Sequence, residues 1–497
     1  MKSVSTVVAA SLLFSLSASA QKVPRASEMP LSAKSAHVFR LLDQAWILDS
    51  DQGEQAQAIG VMRKLVKIEP EFAMGHEILA QISLDPTEQV SEQKQAFANR
   101  AHANASEQIV IEWFQNAADH KLIPAITSMN DVLHKYPHDR WLVFLANSWL
   151  MEQTQYERAA AVYENSGLTD SPGLVNNAAY TYANMRQFSK AFALMDKFVS
   201  LMPKDPNPQD SYAEILRMAG HYTIAIDHYR VALSINPQFY SSQFGIADTY
   251  LLMGDEIRAR KEYDAAFKKF ASLGELDRIR WMTHQATTYI YESDIAGADK
   301  AFQSLAEYSH GKQLCQAEAE TYRQMAMYQT KTDRALELLA KAESALHEGQ
   351  NVSAINAHQE TAQILRTRVE VAIKAGDSLT ADSAVAKLAQ LALNSDDKVI
   401  DSAFNGALGA HLSYEQKYKE AIPHLEEDGS NPLSLERLAT AYRITGYFSG
   451  ARHTEQVLAK LNDLTVEQAL VVPAFRQCLQ NPTCNVSVKD AAMEMKH

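Results

Sequence analysis

The chain has 497 residues, a formal net charge of −13, and a composition in which 46% of residues are hydrophobic and 22% charged. That balance is globular rather than disordered, and the acidic excess excludes wholesale binding to a phosphate backbone, which needs a basic footprint. The length exceeds what a single compact core supports, so several domains or one elongated array are required.

Residues 1–20 read as a secretory signal peptide. Lys2 precedes an apolar run through Leu12, Leu13 and Phe14, and Ala18-Ser19-Ala20 sets small residues two apart before a cut at Gln21. The run is shorter than the roughly 18–20 residues of a membrane span. The mature chain is therefore expected to be exported, periplasmic or extracellular, with no transmembrane segment after cleavage. Residues 21–34 are expected to form a flexible lead. At Asp49–Glu54, "DSDQGE" hints at a calcium loop, but Gly53 comes one place early and the twelfth-position glutamate is missing, so a helix–helix turn is expected. His134 and His138 stand four apart, yet Pro137 stops the helix that would pair them as metal ligands.

Further along, the chain repeats itself. Ala179, Ala213 and Ala247 are 34 residues apart, as are Ala191, Ala225 and Ala259. Tyr182, Leu216 and Tyr250 follow the first set, and Met195, Tyr229 and Tyr263 follow the second. Phe198, Ala232 and Ala266 close the units, and Pro203 and Pro237 end two of them. Within one unit, "FGIADTYLLM" carries an apolar helical stripe, Gly254-Asp255 breaks it, and a second stripe runs from Ile257 to Phe267. Gly220 and Gly254 sit where a left-handed residue ends the first helix, and Arg186 holds that place one unit earlier. The alanines mark where two antiparallel helices approach, and the tyrosines fill the grooves beside them. One helix pair cannot cover its own apolar faces, so the units must stack.

This pattern, in register from Ser171 to Phe270, resembles the tetratricopeptide repeat. The resemblance implies an all-α, right-handed superhelical solenoid of stacked antiparallel helix pairs, whose first helices line a concave face that holds peptides or helices of partners. The array is expected over 35–312, with the best repeats at 172–271. Residues 313–402 are helical by pattern but leave the register, as longer helix pairs or as a distinct helical domain. Ala439, Tyr442, Gly446 and Ala451 mark further pairs in 403–462, and 463–497 is read as a C-terminal helix and tail. Carried onto this chain, the family's partner-facing positions are Asn176 and Tyr180, then Asp210, Glu214 and Arg217, then Phe244 and Asp248. Their acidic members favour a partner with a basic segment.

No short signature of hydrolase, nucleotide-binding or zinc chemistry occurs in the sequence, so no catalytic residue, cofactor or metal site is expected. His221 and His228 share a helical face without a third ligand, and Glu426, Glu427 and Asp428 read as a solvated helix end. Cys315 is expected to be a small core residue. Cys478 and Cys484 flank Asn481-Pro482, a turn that brings them together as a candidate disulfide in an oxidising compartment. The functional expectation is an exported, non-catalytic scaffold that binds proteins or peptides, not nucleic acid, as an adaptor in cell-envelope assembly or secretion. The alternatives are an enzyme with its active site in the divergent C-terminal half and the repeats as a substrate platform, and a structural spacer that oligomerises.

Overall fold

A computed structural model describes residues 28–349 and 352–479. The signal peptide and Cys484, with the disulfide expected there, lie outside the described residues. Among the described residues there is no strand, and twenty-five α-helices follow one another as twelve antiparallel pairs and a terminal helix. The first four pairs are α1 (Ala36–Trp46) with α2 (Gln55–Ile68), α3 (Ala73–Ile82) with α4 (Pro86–Asn99), α5 (Ala105–Ala118) with α6 (Leu122–Lys135), and α7 (Arg140–Glu152) with α8 (Tyr156–Ser166). The next four are α9 (Pro172–Asn184) with α10 (Phe188–Leu201), α11 (Asn207–Met218) with α12 (Tyr222–Ile235), α13 (Tyr240–Leu252) with α14 (Glu256–Lys269), and α15 (Glu275–Tyr291) with α16 (Ile295–Gly311). The last four are α17 (Cys315–Met327) with α18 (Thr332–Glu348), α19 (Ala354–Ala375) with α20 (Ser378–Leu393), α21 (Lys398–Tyr414) with α22 (Tyr418–Glu427), and α23 (Pro432–Ile444) with α24 (Phe448–Ala459). The final helix is α25 (Val466–Leu479).

The repeat residues lie where their sizes require. Ala179, Ala191, Ala213, Ala225, Ala247 and Ala259 are fully buried at the helix crossings, with Tyr229 and Tyr263 buried beside them. First helices pack on the next first helices, as α7 on α9, α11 on α13 and α19 on α21, whereas no two successive second helices pack closely among the described residues. The first helices therefore line the inside of the curve. The segment 313–402 is two longer pairs rather than a separate domain: α19 runs 22 residues and α18 runs 17, and α17 and α19 pack on each other like other first helices.

All first helices but α3 and α17 end in the same way. At Gly254, with φ of 79°, the backbone swings left-handed, and the N–H groups of Gly254 and Asp255 reach back to the carbonyls of Leu251 and Tyr250 at 3.0 Å. Side-chain-bearing residues hold the same conformation at His120, Thr154, Arg186, Ser293 and Gln416. Gly53, with φ of 66°, follows a π-helical turn at Ile47–Asp51, so the stretch "DSDQGE" is a helix–helix turn.

Two ends of the array are held more firmly than the sequence suggests. Of the lead expected to be flexible, residues 28–34 are tied down, because the Met29 N–H donates to the buried Asp139 carboxylate at 2.8 Å and the Ser32 N–H to Glu107 at 2.9 Å. The curve also closes on itself: α5 packs on α19, His120 Nε2 lies 3.0 Å from Asp397 Oδ2, and the Leu276 N–H donates to the Leu84 carbonyl at 3.1 Å.

Thr154 is β-branched, exposed and held at φ of 55°, a conformation that costs such a residue about 1 kcal/mol or more. Thr154→Gly is expected to raise the urea midpoint, with a gain of about 1 kcal/mol in the unfolding of the surrounding units. An unchanged or lower midpoint would show that the turn is not strained.

Candidate partner-binding groove

The positions carried over from the repeat pattern fall on the inner helices α9, α11 and α13, and the structure joins most of them into a ladder. The Tyr180 hydroxyl donates to Glu214 Oε2 at 2.8 Å, and Arg217 Nη2 donates to Glu214 Oε1 at 2.9 Å. Arg217 Nη1 also lies 3.8 Å from Asp248 Oδ2, while Asp248 Oδ1 accepts from the Tyr263 hydroxyl at 2.5 Å and lies 2.9 Å from His284 Nδ1. Asp210 accepts from the Ser242 hydroxyl at 2.6 Å. These rungs link each unit to the next, at sequence separations of 34 for Tyr180–Glu214 and 32 for Asp210–Ser242.

Burial divides the set. Asp210, Arg217, Phe244 and Asp248 are buried, and the Phe244 ring stacks on Trp281 at 4.1 Å between centroids. Asn176, Tyr180 and Glu214 keep partial exposure, with the Glu214 side chain 39% accessible. Electrostatics follow the surroundings. Burial opposes the charge on Asp248, but the His284 ring, Arg217 and the Tyr263 hydroxyl outweigh it and hold Asp248 below the usual carboxylate range. Asp210 has no cation so close; burial dominates and pushes it up to about 7 against the Ser242 hydrogen bond.

Two straps border the inner face of α9 and α11. On one side, Asp51 Oδ1 accepts from the Gly173 N–H, and the Asp51 carbonyl from Asn207 Nδ2, each at 3.0 Å. On the other, Asn462 Nδ2 donates to the Met218 carbonyl at 3.1 Å, the Tyr222 hydroxyl bonds Asn462, and Arg186 pairs with Asp463 at 3.0 Å. Beyond this second strap, α25 packs on the inner helices α15, α17 and α23. The sequence signals neither strap, because each joins residues more than a hundred positions apart.

The other candidates resolve individually. His138 Nδ1 lies 2.6 Å from the Ser166 carbonyl in an inter-unit turn, and His134 lies in the last turn of α6. His221 precedes α12, and His228 Nδ1 lies 2.8 Å from Gln209 Oε1. Among the described residues, no three His, Cys, Asp or Glu side chains converge as a metal site. Cys315 opens α17 and is half-buried rather than in the core, since the start of that helix faces a cavity of about 440 Å³. Asp428 is not solvated: it is 1% exposed and bonds Arg366, Ser402 and Ser434. Arg366 lies 62 positions away, so no local pattern marks it as the partner.

The structure is similar to solved helical-repeat proteins. A tetratricopeptide repeat protein from Parabacteroides merdae aligns over 62% of this chain and 99% of its own, at 15% identity and a TM-score of 0.36. The APC/C hetero-tetramer Cut9–Hcn1 covers 82% of this chain and 77% of its own, at 13% identity and a TM-score of 0.39. An IFIT1 monomeric mutant solved with m7Gppp-AAAA covers 84% and 98%, at 14% identity and a TM-score of 0.36. No family model and no curated protein matches the chain. The stacked helix pairs, about 34 residues apart in the central units, and their inner and outer arrangement form an all-helical solenoid of the tetratricopeptide-like kind.

One inner carboxyl was missed by pattern altogether. Glu77 on α3 is fully buried; Oε1 accepts from Gln81 at 2.8 Å, and Oε2 has no partner among the described residues. Burial pushes it up to about 8, against a weaker pull from Gln81. The native chain thus keeps a proton that the unfolded chain loses above about pH 4.3, so stability falls as pH rises towards 8, by at most about 1.4 kcal/mol per unit. Glu77→Gln is expected to unfold like the parent at pH 4 and at a higher temperature at pH 8. An equal difference at both pH values, read by circular dichroism melts, would mean that Glu77 is not held neutral.

Proposed function

We propose that this chain is an exported, non-catalytic repeat scaffold that binds a protein or peptide through the inner face of its central units, as an adaptor in cell-envelope assembly or secretion. The observation that carries the reading is the Glu214 carboxylate. It is partly exposed on the inner face, yet fixed from behind by Tyr180 and the buried Arg217. A carboxylate held at one orientation at little further entropic cost suits a cation on a partner. Asn176 and Tyr180 add a neighbouring amide and ring. Asp210, Arg217, Phe244 and Asp248 act beneath them, setting the spacing of α9, α11 and α13.

A non-catalytic role is supported by the divergent half. There the buried charges are spent on one another, as Arg323 on Glu360 at 2.6 Å and Arg437 on Glu370 at 2.8 Å, and belong to the walls between helices. Export is proposed from the signal-like residues 1–20, and the net charge of −13 favours a protein partner over nucleic acid.

Glu214→Gln removes the charge and keeps one accepting oxygen, enough for Tyr180 or for Arg217 but not for both, while Arg217 retains Asp248. Capture of envelope proteins on the immobilised full chain is expected to lose its basic partner at least tenfold, with the variant somewhat less stable but still fully helical by circular dichroism at the assay temperature, and the chain itself in the periplasmic or extracellular fraction. Equal capture by parent and variant would remove this face from consideration.

A further inference from the structure

The helix α25 sits where a partner of an inner groove would sit. It packs on the first helices α15, α17 and α23 and on the preceding helix α24, and its Val466, Ala469, Val471, Val472 and Phe475 are buried. Val466 and Ala469 share a core with Ile290 and Met325, while Val472 and Phe475 share one with Leu435 and Leu458. At its start, Gln468 is fully buried and donates to the Tyr291 hydroxyl at 3.3 Å, and Glu467 lies 3.9 Å from Arg323.

The sequence of this helix does not hold a helix by itself. Three of its fourteen residues are valine, and Pro473 lies inside it, where it removes the N–H that would bond the Ala469 carbonyl. A segment this short is marginal alone in water even with favourable composition. Its helical form therefore depends on the groove. The groove, in contrast, keeps its charges paired without α25: Arg323 retains Glu360 and Arg437 retains Glu370, so departure of Glu467 leaves no isolated buried charge. What departure does expose is apolar surface at Ile290, Met325 and Leu435, which favours exchange for another helix over an empty groove.

We infer that α25 is a displaceable internal occupant of the inner groove, and that the groove receives a partner's amphipathic helix carrying apolar residues at the same places. This deepens the partner-binding reading and rests on it for its biological meaning, though not for its test. The strap at Asn462 and Asp463 belongs to the same segment, so exchange also frees the ends of α9 and α11 beside Glu214.

The test uses the full chain and a labelled peptide of residues 465–479 carrying Cys478→Ser, so that no natural partner is needed. Val472→Asp with Phe475→Asp should release α25 while leaving the groove intact. The folded double variant is expected to bind the peptide at least tenfold more tightly than the parent, by fluorescence anisotropy. Failure of the variant to bind, with its helical circular dichroism unchanged, overturns the proposal. If the variant loses its helical signal, hydrogen exchange on the parent decides. Amides of 466–479 exchanging well before those of α15 and α17, and faster still with excess peptide, support displacement. Equal protection in all three helices makes α25 a fixed part of the core and overturns the proposal. Loss of capture at Glu214 with normal peptide exchange, or the reverse, separates this inference from the function proposed above.

Discussion

The structure depends on one constraint: a first helix has two apolar sides and its own pair covers only one. α13 shows this most plainly, since ten of its thirteen residues are buried and it has no polar face to offer solvent. It is covered by α14 within its pair, by α12 behind it, and by α11 and α15 along the inner wall. Such a helix has no stable isolated form, so the array gains stability unit by unit from its interfaces, and curvature follows from first helices packing more closely than second ones.

The same geometry explains why the inner charges are paired across units. Residues at equivalent places in successive first helices lie next to each other, so a polar side chain there meets its counterpart about one repeat later. Asn147 and Thr181, Tyr180 and Glu214, and Arg323 and Glu360 are 34, 34 and 37 residues apart. Family-based positions for partner contact thus coincide with positions suited to clamping neighbouring units. Which role a residue takes depends on how far the side chain stands from the wall. Phe244 and Asp248 lie within it, and Glu214 stands at its edge.

This also separates what was legible in the sequence from what was not. The alanine and tyrosine register was legible because each contact it encodes is local or one repeat away, and a periodic contact leaves a periodic trace. The left-handed turn was legible at Gly220 and Gly254 but hidden at Thr154 and Ser293, where the backbone adopts the same conformation without the residue that favours it. Closure of the curve left no such trace. His120 meets Asp397 across 277 positions and Asn462 meets Met218 across 244, once each, with no second copy to set a period. Burial of the expected partner positions was hidden for another reason: Phe244 is covered by Trp281, and Asp248 by Arg217 and His284, contacts one unit away that depend on how far each side chain reaches.

Closure changes what the inner face can be. An open solenoid presents its first helices to whatever diffuses in; here one end of the chain crosses that face at Asp51 and the other at Asn462, and α25 lies in the groove beyond. On the proposed reading, a partner competes with segments already tethered at high effective concentration, which lowers its apparent affinity and raises the discrimination demanded of it. The two straps are not equivalent in this respect. The Asp51 turn is backed by α1 and α2, whose Trp46 and Ala58 belong to the continuous core, so lifting it would break that core. The strap at Asn462 is followed by one terminal helix with an internal proline, held by its buried apolar residues, by Gln468 on Tyr291, and by Arg476, which donates to the Ala459 carbonyl and to Asn462 Oδ1. On the proposed reading, displacement therefore starts at the C-terminal border, where the segment is a single terminal helix, and not at Asp51, where it would open a continuous core.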